Sequence, residues 1–69
     1  MQTNMSENVR CLRTAKGITQ EQLAEEIGIT QGMVVRIENG SKMPGVATVI
    51  AIADFFQCSI DTLLRGNCA

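Results

Sequence analysis

The sequence predicts an all-α fold, a compact bundle of five short helices in one domain that spans residues 1–69. Apolar residues recur at the three- and four-residue spacings of amphipathic helices. Residues typical of helix starts and stops divide the chain into five segments, and no segment shows the alternating pattern of a strand. The predicted helices span residues 5–16, 20–27, 31–38, 46–56 and 60–65.

The first two predicted helices have recognisable ends. Asn4, followed three residues later by Glu7, is typical of a helix start, and Gly17 is typical of a helix end. Thr19 and Gln22 form a T-x-x-Q capping box for the second helix. The expected core residues are Met5, Val9 and Leu12 in the first helix and Leu23, Ala24 and Ile27 in the second.

The last three predicted helices have similar signals. Thr30 caps the third helix, which ends at Asn39-Gly40. The fourth helix follows Pro44-Gly45, and Ser59 caps the fifth, which ends at Gly66. The expected apolar faces are Val46, Val49, Ile50, Ala53 and Phe56 in the fourth helix, and Leu63 and Leu64 in the fifth.

The composition argues against an enzyme. The chain carries a net charge of −1 and has no histidine, which excludes Ser/His catalysis and histidine-based zinc sites. A chain of 69 residues also has little room for a core and a deep substrate cavity together. We therefore expect no catalytic residues, no cofactor and no metal.

The sequence predicts a cytoplasmic protein. Its start lacks a signal peptide, and its longest apolar stretch, residues 46–56, is too short to cross a bilayer. Cys11, Cys58 and Cys68 form no CxxC pair. We expect all three to be free thiols, as in a reducing compartment, with Cys68 near the terminus able to crosslink in air.

The most informative stretch, residues 20–40, has the spacing of a helix-turn-helix. Two short helices flank a turn of three residues, Gly28-Ile29-Thr30. Ala24 is small where the helices are expected to cross closely, and Val34 and Ile37 are expected to fill the angle between them. The third helix is therefore expected to present its other face outward.

Helical geometry also predicts an ion pair. At about 100° per residue, Glu38 falls within about 60° of the core face of the third helix, and Arg13 lies about 40° from the core stripe of the first. A carboxylate and a guanidinium at the edge of one core are expected to pair, since either alone carries a large desolvation cost. We predict that Arg13 and Glu38 form a structural bridge.

Residues 12–66, LRTAKGITQEQLAEEIGITQGMVVRIENGSKMPGVATVIAIADFFQCSIDTLLRG, resemble the DNA-binding domain of the phage repressor and Cro family of XRE-type helix-turn-helix regulators. The resemblance rests on TQEQLA, GIT, RIENG, Pro44 and SIDTLL. It implies a lambda-repressor-like five-helix bundle whose third helix enters the DNA major groove, usually as a homodimer. It also implies an internal Arg13–Glu38 pair.

The resemblance further implies which residues contact double-stranded DNA. Gln20 matches a phosphate-contacting glutamine, and Asn39, Ser41 and Lys42 lie in a loop that binds phosphate. Glutamine and arginine can form paired hydrogen bonds with adenine and guanine respectively, which suits Gln31 and Arg36 to base contacts. The full expected set is Gln20, Thr30, Gln31, Gly32, Met33, Arg36, Asn39, Ser41 and Lys42.

Two features depart from the family pattern. Met33 and Val35 are apolar where relatives are polar, and three roles remain open for them: contact with thymine methyls, contact with a protein partner, or a place at the core border. The alternative function is thus an antitoxin-type protein-interaction module that uses these two residues and binds DNA secondarily. The chain is also weakly basic: from Gly28 to Ala53 two cations and one anion give a local charge of +1.

The function expected from these observations is a sequence-specific transcriptional regulator, a repressor, that acts as a dimer. The expected dimer surface comprises helix five, with Ile60 and Leu64, and the tail Asn67-Cys68-Ala69.

Overall fold

The computed structural model describes residues 4–66 and shows five α-helices. They are α1 (Met5–Lys16), α2 (Gln20–Ile27), α3 (Gln31–Glu38), α4 (Val46–Phe56) and α5 (Ile60–Arg65). Their bounds coincide with the predicted ranges, and residues 4–66 contain no strand. The all-α fold is confirmed, whereas the predicted domain limits lie outside the described residues. None of these helices is long and apolar enough to cross a membrane.

Three of the predicted N-caps are present. Thr19 Oγ1 accepts a hydrogen bond from Gln22 N at 3.0 Å, and Gln22 Oε1 accepts one from Thr19 N at 2.8 Å, which completes the capping box. The hydroxyls of Thr30 and Ser59 accept hydrogen bonds from the backbone of α3 and α5. These side chains therefore fix where α2, α3 and α5 begin.

The predicted cap of α1 is wrong. The Asn4 side chain makes no capping hydrogen bond; its Nδ2 donates instead to Gly66 O at 3.3 Å, and its backbone N–H donates to Leu64 O at 2.8 Å. The start of α1 is thus attached to the end of α5, a contact between distant parts of the chain that local sequence does not reveal.

All five helices contribute to one core. Its buried apolar residues are Met5, Val9, Leu23, Ala24, Val34, Ile37, Val49, Ile52, Ala53 and Leu63. The expected core residues Leu12, Ile27, Phe56 and Leu64 are half-buried and pack against it. Because α2 and α3 both pack through this core, their mutual angle is fixed by buried side chains.

The predicted core face of α4 is partly wrong. Val46 and Ile50 were expected inside but are 75% and 42% exposed, whereas Ile52 is fully buried. The observed face runs through Val49, Ile52 and Ala53. Nearly every residue of α4 is apolar, so the sequence pattern leaves the orientation of this helix undetermined.

A buried amide joins α1 to α5. Asn8 is 4% exposed, and its Nδ2 donates to three backbone carbonyls: Leu63 O at 2.9 Å, Gly66 O at 3.0 Å and Thr62 O at 3.3 Å. Leu63 lies in the last turn of α5 and Gly66 directly follows the helix, where carbonyls lack intrahelical donors, whereas Thr62 O also accepts from Gly66 N at 2.7 Å. Asn8 therefore serves as a C-terminal cap for α5 contributed by another helix.

The cysteines differ in state. Cys58 is a half-buried free thiol, whereas Cys11 on α1 is disulfide-bonded. The expectation of a free thiol is therefore wrong for Cys11, since sequence spacing does not report which thiols the fold brings together. Cys68 lies outside the described residues.

Replacing the Asn8 donor is expected to weaken the fold. Asn8→Asp keeps the size of the side chain but turns a carboxylate toward three carbonyl oxygens, so we expect it to lower the free energy of unfolding by more than Asn8→Ala does. The alanine variant should lose about 1–3 kcal/mol, the cost of leaving buried polar groups unpaired. Urea denaturation measures both, with Thr14→Ala on the exposed face of α1 as the control. If the aspartate variant were as stable as the native chain, the capping role of Asn8 would be wrong.

Candidate nucleic-acid interface

The turn between α2 and α3 is held by short local contacts. Gly28 has φ +77° and donates its N–H to Ala24 O at 2.9 Å, and Ile29 N donates to the same carbonyl at 2.9 Å. Thr30 then caps α3 by accepting from Met33 N at 3.1 Å. A residue with a Cβ is strained at the φ of Gly28, so glycine suits this turn.

The helix α3 has one buried face and one exposed face. Val34, Ile37 and Glu38 are buried. The exposed positions are Gln31, Gly32, Val35 and Arg36, followed by Asn39 just beyond the helix. We call the four exposed positions of α3, residues 31, 32, 35 and 36, the outer face. The expected outward presentation of α3 is thus observed.

Met33 occupies the core border, one of the three roles left open for it. Helical geometry alone points it away from the core, but it is half-buried and packs against the core. Val35 instead is exposed. On a helical wheel Met33 and Val35 lie symmetrically, each about 100° from Val34, so the wheel cannot separate them. Packing of neighbouring helices decides which of the two turns inward.

The Arg13–Glu38 pair is present. Arg13 Nε donates to Glu38 Oε2 at 2.7 Å and Arg13 Nη2 donates to Glu38 Oε1 at 3.2 Å, a two-point contact between guanidinium and carboxylate. The Glu38 side chain is only 4% exposed. Arg13 Nη1 also donates to Ile18 O at 2.9 Å. The pair therefore joins α1, the α1–α2 turn and the C-terminal end of α3.

Gln20 joins the same cluster, which sequence reasoning did not anticipate. Its Nε2 donates to Glu38 Oε1 at 3.2 Å. The half-buried Gln20 side chain is thereby held across the N-terminus of α2. The only signal in the sequence was that the buried Glu38 carboxylate needs several hydrogen-bond donors. The sequence does not show that the Gln20 amide is one of them.

The N-termini of α2 and α3 suit an anion. Backbone N–H groups of a first helical turn lack intrahelical partners and carry the positive end of the helix dipole. In α2 and α3, the cap threonines accept from Gln22 N and Met33 N. The earlier amides, those of Gln20 and Gln31 among them, precede the helical hydrogen-bonding pattern and remain suited to a phosphate.

The loop after α3 is compact and exposed. Ser41 N donates to Asn39 Oδ1 at 2.9 Å and to Arg36 O at 3.0 Å, and Lys42 N donates to Arg36 O at 3.3 Å. Asn39, Gly40, Ser41 and Lys42 are all exposed. The hydrogen bonds bring the loop back over the last turn of α3, so the backbone of Lys42 lies close to that helix.

Arg36 on α3 and Lys42 in the following loop form no ion pair with an acidic side chain of residues 4–66. The two ion pairs found among residues 4–66 are Arg13–Glu38 and Arg65–Asp61, and neither involves Arg36 or Lys42. Both side chains are exposed. The acidic residues Glu21, Glu25 and Glu26 lie on exposed positions of α2. Within the described part of the chain, Arg36 and Lys42 therefore carry positive charge without an ion-pair partner at the C-terminal end of α3 and in the following loop.

The described residues contain no candidate metal site. No group of three or more His, Cys, Asp or Glu side chains in residues 4–66 is placed to hold a metal ion. Every buried side-chain nitrogen or oxygen in that part of the chain has a hydrogen-bond partner. The polar groups inside the fold are thus occupied by structural contacts.

Comparison with known proteins identifies relatives of this arrangement. The sequence profile of the helix-turn-helix family matches residues 9–63. The chain is 38% identical over 62 residues to the HTH-type transcriptional activator BcrR of Enterococcus faecalis, an alignment that covers 90% of this chain and 30% of BcrR. It is equally similar, 38% over 62 residues, to the uncharacterized HTH-type transcriptional regulator YqaE of Bacillus subtilis, covering 90% of this chain and 53% of YqaE. The chain thus spans only about a third to a half of these two relatives.

A solved structure is similar over the full fold. The P22 c2 repressor, in a crystal structure of its complex with a synthetic operator, superposes with a TM-score of 0.87 at 28% sequence identity. The match covers 91% of this chain and 96% of that chain. The expected lambda-repressor-like bundle is confirmed. These similar proteins are named as transcriptional regulators and a repressor, not as enzymes.

The two ion pairs provide a matched test of burial. Glu38→Ala leaves the Arg13 guanidinium, 17% exposed, without its carboxylate, and we expect the free energy of unfolding to fall by about 3 kcal/mol. Asp61→Ala removes the acidic partner of an exposed pair and should cost at most about 1 kcal/mol. Urea denaturation measures both losses. Equal losses would show that Glu38 does not hold the three helices together.

Proposed function

The chain belongs to the helix-turn-helix family, in the branch of phage-repressor-like, XRE-type regulators, and on this premise we propose that it is a sequence-specific regulator of transcription that binds double-stranded DNA. It acts as a homodimer in which each α3 enters a major groove. The observation that carries the proposal is the outer face of α3, which is exposed and begins at the N-terminus of α3 capped by Thr30.

The outer face supplies the base contacts. Gln31 and Arg36 are exposed on it and carry side chains that pair with adenine and guanine edges respectively. Gly32 is exposed on the same face, and its lack of a side chain permits close approach of the DNA. Met33, half-buried at the border of the outer face, completes this set.

Five residues supply the phosphate contacts: two at helix N-termini and three in the loop after α3. Gln20, held by Glu38, presents its amide at the N-terminus of α2. The Thr30 hydroxyl accepts from Met33 N and still has its own hydrogen to donate. The contacts beyond α3 come from Asn39, Ser41 and Lys42.

The proposed mode of regulation is repression. A protein seated in the major groove excludes other proteins from the same DNA without further contacts, and the P22 c2 protein, whose chain is matched over 96% of its length, is named a repressor. BcrR is named an activator, but this chain spans 30% of it. A reporter gene placed downstream of the DNA sequence that the protein binds distinguishes repression from activation. Expression should fall when the protein is supplied.

The alternative, an antitoxin-type protein-interaction module, has less support than DNA binding. It relied on Met33 and Val35 together, and Met33 packs against the core. Val35 remains as an isolated exposed valine on α3. Loss of a stoichiometric co-purifying protein on Met33→Glu, with Lys42→Ala unaffected, would favour this alternative over DNA binding.

Base and phosphate contacts are expected to respond differently to substitution. Duplexes are first selected from a random library at two salt concentrations. On the selected duplex, Arg36→Ala or Gln31→Ala should lose about 1–3 kcal/mol of binding free energy and relax the preference at one base position. Lys42→Ala should weaken binding to all duplexes and lower the slope of log affinity against log salt by about one. Fluorescence anisotropy measures these affinities.

Two outcomes would contradict the proposal. A selection that enriches no sequence would exclude sequence-specific binding. Equal losses on selected and random duplexes for Arg36→Ala, Gln31→Ala and Lys42→Ala would exclude the separate roles given to these residues. Arg10→Ala, which removes an exposed cation from α1, is the control for net charge.

The dimer is expected to form through α5. Ile60 is 41% exposed and Leu64 is half-buried, so both offer apolar surface, while residues 67–69 of the expected surface lie outside the described part of the chain. Ile60→Asp should shift the protein toward monomer in analytical ultracentrifugation and weaken binding to a two-half-site duplex, since two α3 helices must reach grooves about 34 Å apart. Ile50→Asp, at a similarly exposed isoleucine on α4, should leave the dimer intact.

A further inference from the structure

Val35 is an exposed apolar side chain that the fold does not use. It is 38% exposed, and it is absent from both the buried core and the half-buried residues packed against it. Valine is also a poorer helix former than alanine, so an exposed valine brings no local advantage to α3. Its position at the centre of the outer face, the surface proposed to face DNA, makes it available for a contact outside the fold.

The surroundings of Val35 leave its methyl groups accessible. Helical side chains lean toward the N-terminus and cover the turn before them. The residue three positions earlier is Gly32, which has no side chain, and a Cβ placed there would meet only Thr30 Oγ1, at 4.0 Å. An open space thus adjoins Val35 on its N-terminal side, and Gln31 and Arg36 are exposed on the same face of α3.

We propose that Val35, with the space above Gly32, is a contact site for the 5-methyl group of thymine and that Val35 is therefore a specificity-determining residue. This inference rests on the proposed function. Thymine is the base that presents a methyl group in the major groove, where α3 is expected to lie. The outer face then reads three base features: a hydrogen-bonded purine edge at Gln31, a methyl group at Val35, and guanine acceptors at Arg36.

The exposed area favours a base contact over a protein contact at Val35. A stable protein interface buries about 800 Å² on each partner, whereas one partly exposed valine offers on the order of tens of Å². The other positions of the outer face are polar or glycine, so Val35 does not extend into an apolar patch on α3. One methyl group is a ligand of matching size.

The test removes the methyl group from the DNA. In the duplex selected from the random library, each thymine in turn is replaced by deoxyuridine, which retains base pairing and lacks the 5-methyl group. For the native protein we expect one position in each half-site at which replacement weakens binding about fourfold, the factor expected for one buried methyl-sized group. This measurement needs no protein variant, so misfolding cannot affect it.

The variants assign the effect to Val35. Val35→Ala should bind deoxyuridine and thymine duplexes within about 1.5-fold of each other, while Val46→Ala, the same substitution at a 75% exposed valine outside α3, should keep the fourfold difference. Circular dichroism confirms that both variants fold, as expected for exposed positions.

The possible failures are distinguishable. If the selection enriches no sequence, the proposed function fails and this inference fails with it. If a sequence is enriched but no thymine methyl affects binding, or if Val35→Ala retains the native ratio, only the inference is overturned. A change of oligomeric state or loss of a bound protein on Val35→Ala, without a methyl effect, would assign Val35 to a protein contact and also overturn it.

Discussion

The buried carboxylate of Glu38 is the constraint on which the geometry of α3 depends. It accepts two hydrogen bonds from Arg13 of α1 and one from Gln20 of α2, although it belongs to α3. A carboxylate at 4% exposure is costly unless it is paired, so any shift of α3 that separates these donors is strongly disfavoured. The inward end of α3 thereby fixes the direction in which its outer face points. Gln20 is fixed by the same group, which couples the proposed phosphate contact to the orientation of the proposed base-reading helix.

The helix α1 connects this cluster to the other side of the fold. Asn8 donates to three carbonyls at the end of α5, and Arg13, about one and a half turns further along α1, binds Glu38. Both contacts are polar and directional, whereas the apolar core between them tolerates small displacements at modest cost. Directional contacts at two points on one helix restrict its rotation as well as its position. The proposed dimer surface on α5 and the proposed DNA surface on α3 are thus held in a defined relation through α1.

The sequence predicted what neighbouring residues decide and one pairing that charge compensation requires, and it failed where the packing of distant residues decides. The capping box of Thr19 and Gln22 involves neighbouring residues, so the start of α2 was predictable, as was the Arg13–Glu38 pair, whose two charges must be compensated near a core edge. The face of α4 was not, because an almost wholly apolar helix has no preferred side until neighbours cover one. The same reason separates Met33 from Val35: each lies about 100° from Val34, and only the packing of the other helices turns Met33 inward. Asn4 was misassigned because its partners, Leu64 and Gly66, lie at the other end of the chain.

The weak basicity of the chain affects how the proposed free energy of DNA binding is divided between phosphate contacts and base contacts. Nonspecific binding to DNA is supplied by cations that neutralise phosphates, and each neutralised phosphate adds to the salt dependence. With a net charge of −1, and with Arg36 and Lys42 as the exposed cations of the interface, this contribution is small. Oriented amides at the N-termini of α2 and α3 attract phosphate through partial charges, but these decay within the first turn and favour one register over others. A larger share of the binding free energy must then come from contacts that depend on base identity and from the doubling of contacts in a dimer. Such a division lowers the affinity for random DNA more than the affinity for the operator, so low basicity is compatible with high discrimination rather than evidence against DNA binding.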